Sequence, residues 1–195
     1  MEKLKYAIIG CGVVAKKHLK GARYHQNQQG TIEVVAAVDT RPGAAEKMLQ
    51  AAGFTTAEIA RIRIFADDTE MLSAVQPDLV AITTPSGSHA AISLRAIEAG
   101  AHVLIEKPLT LSLPEAEQIL KRAAELGRRV AVGHIYRFFP LVQMIQADIA
   151  AGRFGRVLYG DVKVRWGHDQ AYYDQAAWRG TWHQDGGALR NQSVH

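Results

Sequence analysis

Along the first two thirds of the chain, short unbroken apolar runs alternate with segments whose apolar positions recur every three or four residues. The runs are Lys5–Ile9, Glu33–Val38, Arg63–Phe65, Leu79–Thr83, His102–Ile105 and Arg129–Val132. Apolar runs without alternation, bounded by turn residues, predict strands buried on both faces. The periodic segments predict amphipathic helices: Val13 to about Arg23, Arg41 to Gly53, Asp67 or Asp68 through Val75, a helix after His89 stopping at Gly100, and Ser112 to Gly127. Tyr24–Gly30, rich in Gln and Asn, reads as a polar loop, and Phe54–Arg61 as a short helical turn. Strands alternating with helices mean βαβ units, an α/β fold with a doubly wound parallel sheet that ends near Gly133.

The remainder has a different pattern. Leu141, Met144, Ile145 and Ile149 form a helical stripe that ends at Gly152. From Arg156 to Trp166 apolar and polar residues alternate (Val157, Tyr159, Val162, Val164, Trp166), as in a strand with one open face. All three tryptophans lie in this last third. Two units follow: residues 1–133, and residues 134–195 as the beginning of a second α/β domain with an open, mainly antiparallel sheet.

The first run breaks at Gly10-Cys11-Gly12-Val13-Val14-Ala15 and opens directly into a helix. Gly10 permits a tight turn, Gly12 lets a pyrophosphate approach the backbone, and Ala15 lets helix and strand pack closely. The N–H groups of Val13, Val14 and Ala15 at the helix start then face the phosphates. A lone G-x-G-x-x-A also arises in turns for steric reasons alone. Here it stands between a strand and a helix, and the next strand ends in Asp39, which can accept from both hydroxyls of an adenosine ribose. The pattern predicts a dinucleotide-binding Rossmann unit. The acid at Asp39 favours NAD over NADP, although Arg41 could partly accommodate a 2′-phosphate.

Composition narrows the class. Of 195 residues, 48% are hydrophobic and 22% charged, which describes an ordinary globular protein with material for a core. The net charge of +4 is spread along the chain, without a Lys/Arg block or basic-aromatic array, so nucleic acid is not an expected partner. No apolar run approaches a membrane span. The single cysteine, Cys11, excludes an internal disulfide and reads as a small buried residue. The first strand starts within a few residues of Met1, leaving no room for a signal peptide, so the expected location is cytoplasmic.

Open α/β sheets bind ligands at the carboxyl ends of their strands. The fourth and fifth strands deliver Thr84-Pro85 and Glu106-Lys107-Pro108 to that edge. Pro108 holds Lys107 extended, and the Lys107–Pro108 bond is a candidate cis bond. A lysine partly desolvated there would give up its proton more easily and could polarise a substrate oxygen; the plain alternative is a surface lysine after a strand. Near the end, Gly186-Gly187 and Ala188-Leu189-Arg190-Asn191 look like a helix start, placing Asn191 and His195 on one face. His195 could take a proton from an alcohol, and Asn191 could orient its ring or bind a substrate hydroxyl. The other histidines show no metal-ligand spacing, so no metal site is expected.

Gly10-Cys11-Gly12, Thr84-Pro85 with His89, Glu106-Lys107-Pro108, Tyr136-Arg137-Phe138 and the Gly-Gly-Ala-Leu…His close resemble the Gfo/Idh/MocA oxidoreductases. The resemblance implies a Rossmann domain that binds NAD(P), and a second domain whose open sheet holds a sugar or polyol and makes homo-oligomer contacts. It implies Lys107 as the catalytic lysine, His195 as the acid/base, and Thr84, Pro85, His89 and Glu106 beside the cofactor. Such proteins usually have Asp four residues before the histidine, where this chain has Asn191. The Asn-Gln-Ser-Val-His wording is similar to the branch oxidising nucleotide-linked amino-sugar uronates. Family members continue well past this histidine, so the chain reads as a truncated member or a fragment. Two rivals stand beside the dehydrogenase: a non-catalytic dinucleotide-binding fragment, and a Rossmann-like methyltransferase.

Overall fold

The computed structural model describes residues 3–163, 165 and 167–192. Strands β1 (Leu4–Ile9), β2 (Ile32–Val38), β3 (Arg63–Phe65), β4 (Leu79–Ile82), β5 (His102–Ile105) and β6 (Val130–Val132) form one sheet. Its order is β3-β2-β1-β4-β5-β6 and every pairing is parallel. The chain winds outward from β1 to β3, then returns beside β1 and winds the other way, so the order reverses between β1 and β4. The antiparallel edge strand of a methyltransferase-like sheet is absent among the described residues.

Crossover helices cover both faces: α1 (Ala15–Tyr24), α2 (Ala44–Ala51), the single turn α3 (Thr56–Ile59), α4 (Asp68–Val75), α5 (His89–Glu98) and α6 (Leu113–Glu125). Their starts are set by side chains that satisfy free backbone N–H groups. Asp67 accepts from the Glu70 N–H at 2.8 Å, and Thr55 with Glu58 forms a reciprocal capping pair. Along β1, Tyr6 and Ile8 pack against Leu19 and Leu49 on one face, while Ala7 and Ile9 join Met71, Ile97 and Ile119 on the other. This two-residue alternation of burial divides the core into two layers. Leu19 is fully enclosed. Replacing it with Ala is expected to cost about 2–5 kcal/mol, read as a lower urea midpoint with an unchanged slope.

Two local expectations are corrected. The polar stretch after Tyr24 is not a loop but a wide helical turn, His25–Gln29, closed by Gly30 with φ 64°. His25 Nδ1 pairs with Gln29 Oε1 at 2.7 Å, and Gln26 accepts from the Val34 N–H at 2.8 Å, tying the turn to β2. The second helix begins at Ala44 rather than Arg41, because Gly43 is left-handed (φ 74°) and Arg41 is engaged with Asp39. Beyond β6 no strand lies among the described residues. Arg156–Lys163 and Arg165 pair with no strand among the described residues, and Val164 and Trp166 lie outside them. Alternation supplies one apolar face, but a strand also needs a partner edge, and no second alternating run is present among the described residues beyond β6. The expected helix does form, as α7 (Pro140–Ala150), with Leu141, Met144 and Ile149 exposed along it. Two short helices follow, α8 (Gln170–Asp174) and α9 (Ala188–Gln192).

Candidate active site

The carboxyl ends of the strands lie in one row, fixed by successive ladder bonds. The Asp39 N–H donates to Phe65 O, Gly10 to Val38 O, Thr83 to Ile9 O, Glu106 to Ile82 O and Gly133 to Ile105 O, all between 2.8 and 3.1 Å. Each expected site loop therefore leaves the same edge.

At its centre Gly10 has φ +90°, and a Cβ there would lie 2.8–2.9 Å from Thr84 Cγ2, the Thr83 carbonyl carbon and the Thr84 nitrogen. The Thr83 hydroxyl also donates to the Gly10 carbonyl, interlocking the β1 and β4 turns. Gly12 is the opposite case. A Cβ there would meet nothing within 4 Å, so the backbone before α1 is open to a ligand. Val13 and Val14 flank that opening, and Ala15 is fully buried against the sheet. An open, glycine-bared turn at the start of a ten-residue helix is where a pyrophosphate fits.

Asp39 accepts from the Cys11 N–H at 2.8 Å, the Arg41 N–H at 2.9 Å and the Arg41 guanidinium twice at 3.0 Å. Burial acts to raise the Asp39 carboxyl, but the hydrogen bonds from Arg41 and Cys11 outweigh it and hold the pKa below the ordinary value. Beside this pair lies an open cavity of about 310 Å³, lined by Asp39, Arg41, Pro42, Glu46 and Ile64 among others. Burial, then the nearby Asp39 charge, pushes the Cys11 thiol up to about 12, so it is an inert packing residue.

After β4, Thr84 and Pro85 lead into a tight turn, Ser86–Ser88, where Ser88 Oγ bonds Thr84 Oγ1 and the Pro85 carbonyl at 2.8 Å each. His89, expected beside the cofactor, has no exposed surface. Its Nδ1 lies 2.9 Å from the Pro108 carbonyl and its Nε2 3.0 Å from the Thr84 carbonyl. It therefore ties the β4 and β5 turns together. Glu106 is likewise enclosed: its carboxylate meets His18 Nε2 at 2.7 Å and accepts from the Lys107 N–H at 3.2 Å. Burial would raise the Glu106 pKa, but the His18 contact prevails and lowers it. The stability contributed by its ionisation is thus complete above the unfolded value of about 4.3 and is lost as pH falls through the depressed folded value. Glu106→Gln is expected to flatten that acid limb when urea midpoints are compared between about pH 3 and 6.

Lys107, joined to Pro108 by a cis bond, is partly buried. Its ammonium donates to Asn191 twice, to the backbone carbonyl and, at 2.9 Å, to Oδ1. Burial lowers the Lys107 pKa, opposed by the charges of Glu106 and Asp185. Asn191 sits in α9, entered through Gly186 and Gly187 at φ +77° and +85°. The structure brings Asn191 to Lys107, a pairing that the sequence pattern had not suggested. His195 lies outside the described residues. Tyr136, Arg137 and Phe138 form a short turn after β6 (Ile135–Phe138), with the Tyr136 ring edge-on to Phe139.

Three residues at this edge escaped the sequence reading. His18 interrupts the apolar stripe of α1 formed by Ala15, Leu19 and Ala22, and a polar residue so near a buried stripe was the available signal. Asp185 is buried, with Oδ2 accepting from the Gly180 N–H at 2.8 Å. Gly87 receives the Gln184 carbonyl on its N–H at 3.1 Å. Neither of these two left a local pattern. Among the described residues, no group of three or more His, Cys, Asp or Glu side chains could hold a metal ion. No helix among them is long and apolar enough to cross a membrane.

A Rossmann sheet with an open phosphate turn and a partly buried lysine at the β5 edge loop fits the class of nicotinamide-nucleotide oxidoreductases. Residues 4–134 match the family described as an oxidoreductase family with an NAD-binding Rossmann fold, and the chain belongs to this Gfo/Idh/MocA family. It is 31% identical over 79% of its length to D-glucoside 3-dehydrogenase of Escherichia coli, covering 41% of that protein. It is 35% identical over 73% of its length to UDP-N-acetylglucosamine 3-dehydrogenase of Acidithiobacillus ferrooxidans, covering 42% of it. The chain thus spans about two fifths of the length of these curated relatives. Among solved structures, it is similar to the WlbA dehydrogenase from Bordetella pertussis in complex with NADH and UDP-GlcNAcA. The TM-score is 0.86 at 34% identity, over 99% of this chain and 55% of that one.

Proposed function

We propose that this chain forms the cofactor-binding half and part of the reacting edge of an NAD-dependent dehydrogenase that oxidises a hydroxyl of a sugar, with a nucleotide-linked amino sugar as the favoured substrate class. The observation that carries this reading is Lys107: an amine made easier to deprotonate by burial, facing Asn191 at the carboxyl edge of the sheet that also carries the phosphate turn. The substrate class is supported by the relatives named for UDP-linked sugars.

In this reading Gly10, Gly12, Val13, Val14 and Ala15 hold the pyrophosphate, Asp39 and Arg41 the adenosine end, and Thr84 with Pro85 the nicotinamide side. When bound, NAD supplies the hydride acceptor. Lys107 donates a hydrogen bond to the reacting hydroxyl oxygen and stabilises the charge that develops there as its proton leaves. His195 is the proposed acceptor of that proton. Asn191 holds the lysine amine in place, and Glu106 keeps negative charge beside it. Residues 1–133 are proposed as the cofactor domain and 134–195 as part of the substrate domain, with cytoplasmic placement and homo-oligomer contacts in the complete protein.

NADH is expected to bind at least about tenfold tighter than NADPH, because a 2′-phosphate would face the Asp39 carboxylate. The margin is limited by Arg41, which already pairs with that carboxylate. Paired fluorescence titrations measure it; tighter NADPH binding would refute the role given to Asp39. The reaction itself is tested by NADH formation with a panel of free and UDP-linked sugars. A preference for the free sugars would overturn the substrate class.

A further inference from the structure

The segment from His183 to Asn191 reaches the cofactor edge at three places. Arg190 Nη1 donates to the Leu111 carbonyl, Asn191 receives the Lys107 amine, and the Gln184 carbonyl accepts the Gly87 N–H at 3.1 Å. The third contact depends on the absence of a side chain. A Cβ on Gly87 would meet the His183 carbonyl oxygen in frank overlap, and would lie 2.9 Å from Gln184 Oε1 and 3.0 Å from Gln184 Cα. Two of those three atoms are backbone and cannot swing aside. Gly87 does not have a left-handed φ and is exposed on its other side, so its own turn would tolerate a side chain. The lack of a Cβ therefore serves the docked segment and not the turn.

We propose that Gly87 is a positioning residue: it seats the Gln184 carbonyl on the β4 turn and so holds Asn191 against the Lys107 amine. The geometry is a short lever. Gln184 is seven residues before Asn191, and the turn between them is braced by the Asp185 carboxylate on the Gly180 N–H and by α9. Moving Gln184 off Gly87 by a methyl group's width shifts the start of that braced unit. Lys107 then loses its acceptors and the cover that desolvates it, leaving Glu106 as the charge beside it. This inference rests on the reading of Lys107 as the reacting-site amine.

The test is trace acetylation of Lys107 by acetic anhydride across a pH series, followed by mass spectrometry, on the 195-residue chain and its Gly87→Ala variant. In Gly87→Ala the limiting labelling rate of Lys107 is expected to rise about tenfold, and its titration to move up toward that of an ordinary lysine. Asn191→Ala should raise the limiting rate similarly, and the double variant should add little, because both changes break one linkage. NADH affinity should stay within about threefold, since the pyrophosphate and adenosine ends rest on the β1 and β2 turns and Gly87 itself is given no contact with the nicotinamide. Unchanged labelling in a folded Gly87→Ala protein, or fully additive effects in the double variant, would overturn the proposal. Labelling needs no turnover, so loss of the linkage and failure of the dehydrogenase reading are separate results. If Lys107→Met does not slow hydride transfer while Gly87→Ala still exposes the lysine, the seat stands and the assigned chemistry falls.

Discussion

Lys107→Met is expected to slow hydride transfer by about 10²- to 10⁴-fold, the range for removal of a positioned proton-transfer or polarising group. Methionine keeps the length and most of the volume of the side chain, so the packing around Asn191 survives while the donor is lost. The melting temperature should move little. The substitution removes a partly buried cation whose desolvation is only partly offset by Glu106, Asp185 and the two Asn191 acceptors. NADH affinity should also persist. The rate is measured under saturating NAD and sugar, on this chain and on the same chain extended to the length of its relatives. A large fall in stability with unchanged turnover would make the lysine a structural partner instead.

The second large effect is expected at Gly10. Gly10→Val places a branched side chain at φ +90° and within 2.9 Å of the Thr83–Thr84 backbone, so strain and overlap act together. NADH binding should weaken by about 100-fold or more, because the turn that aims the helix start at the phosphates must shift. Stability should fall by roughly 2–4 kcal/mol, the sum of a strained backbone position and an overpacked contact. Gly12→Ala separates the two causes. Nothing lies within 4 Å of a Cβ there, so the protein should keep its melting temperature and lose affinity alone. If Gly12→Ala binds NADH as tightly as the parent, the open turn is not the phosphate site.

The sheet was legible because burial on both faces writes itself into the sequence as unbroken apolar runs, and β3, only Arg63–Phe65, was read as the short run after the helical turn Phe54–Arg61. The phosphate turn was legible for a related reason: Gly10 and Gly12 do their work through what they lack, within six residues of one another and of Ala15. Contacts that cross the chain left no such trace. Lys107 and Asn191 are 84 residues apart, and His18 and Glu106 are 88 apart, so no local spacing registers either pair. The burial of His89 was equally hidden from local pattern. A histidine after a Thr-Pro turn invites a ligand role, and full burial between two carbonyl oxygens makes it a brace as well. Arg156–Trp166 has the alternation of a strand, but pairing is a property of two segments, and alternation describes only one.

The most direct test of the account is where NADH touches the chain. In ¹⁵N-labelled protein, an NADH titration should move the backbone amide signals of Gly10 to Ala15, Asp39 to Arg41, Thr83 and Thr84, and Glu106 and Lys107. Signals along α7 should stay fixed, since that helix lies outside the proposed nucleotide site. Saturating shifts confined to that row, lost in Gly10→Val, are the predicted result. Shifts centred elsewhere on the chain, or none at saturating NADH, would contradict it.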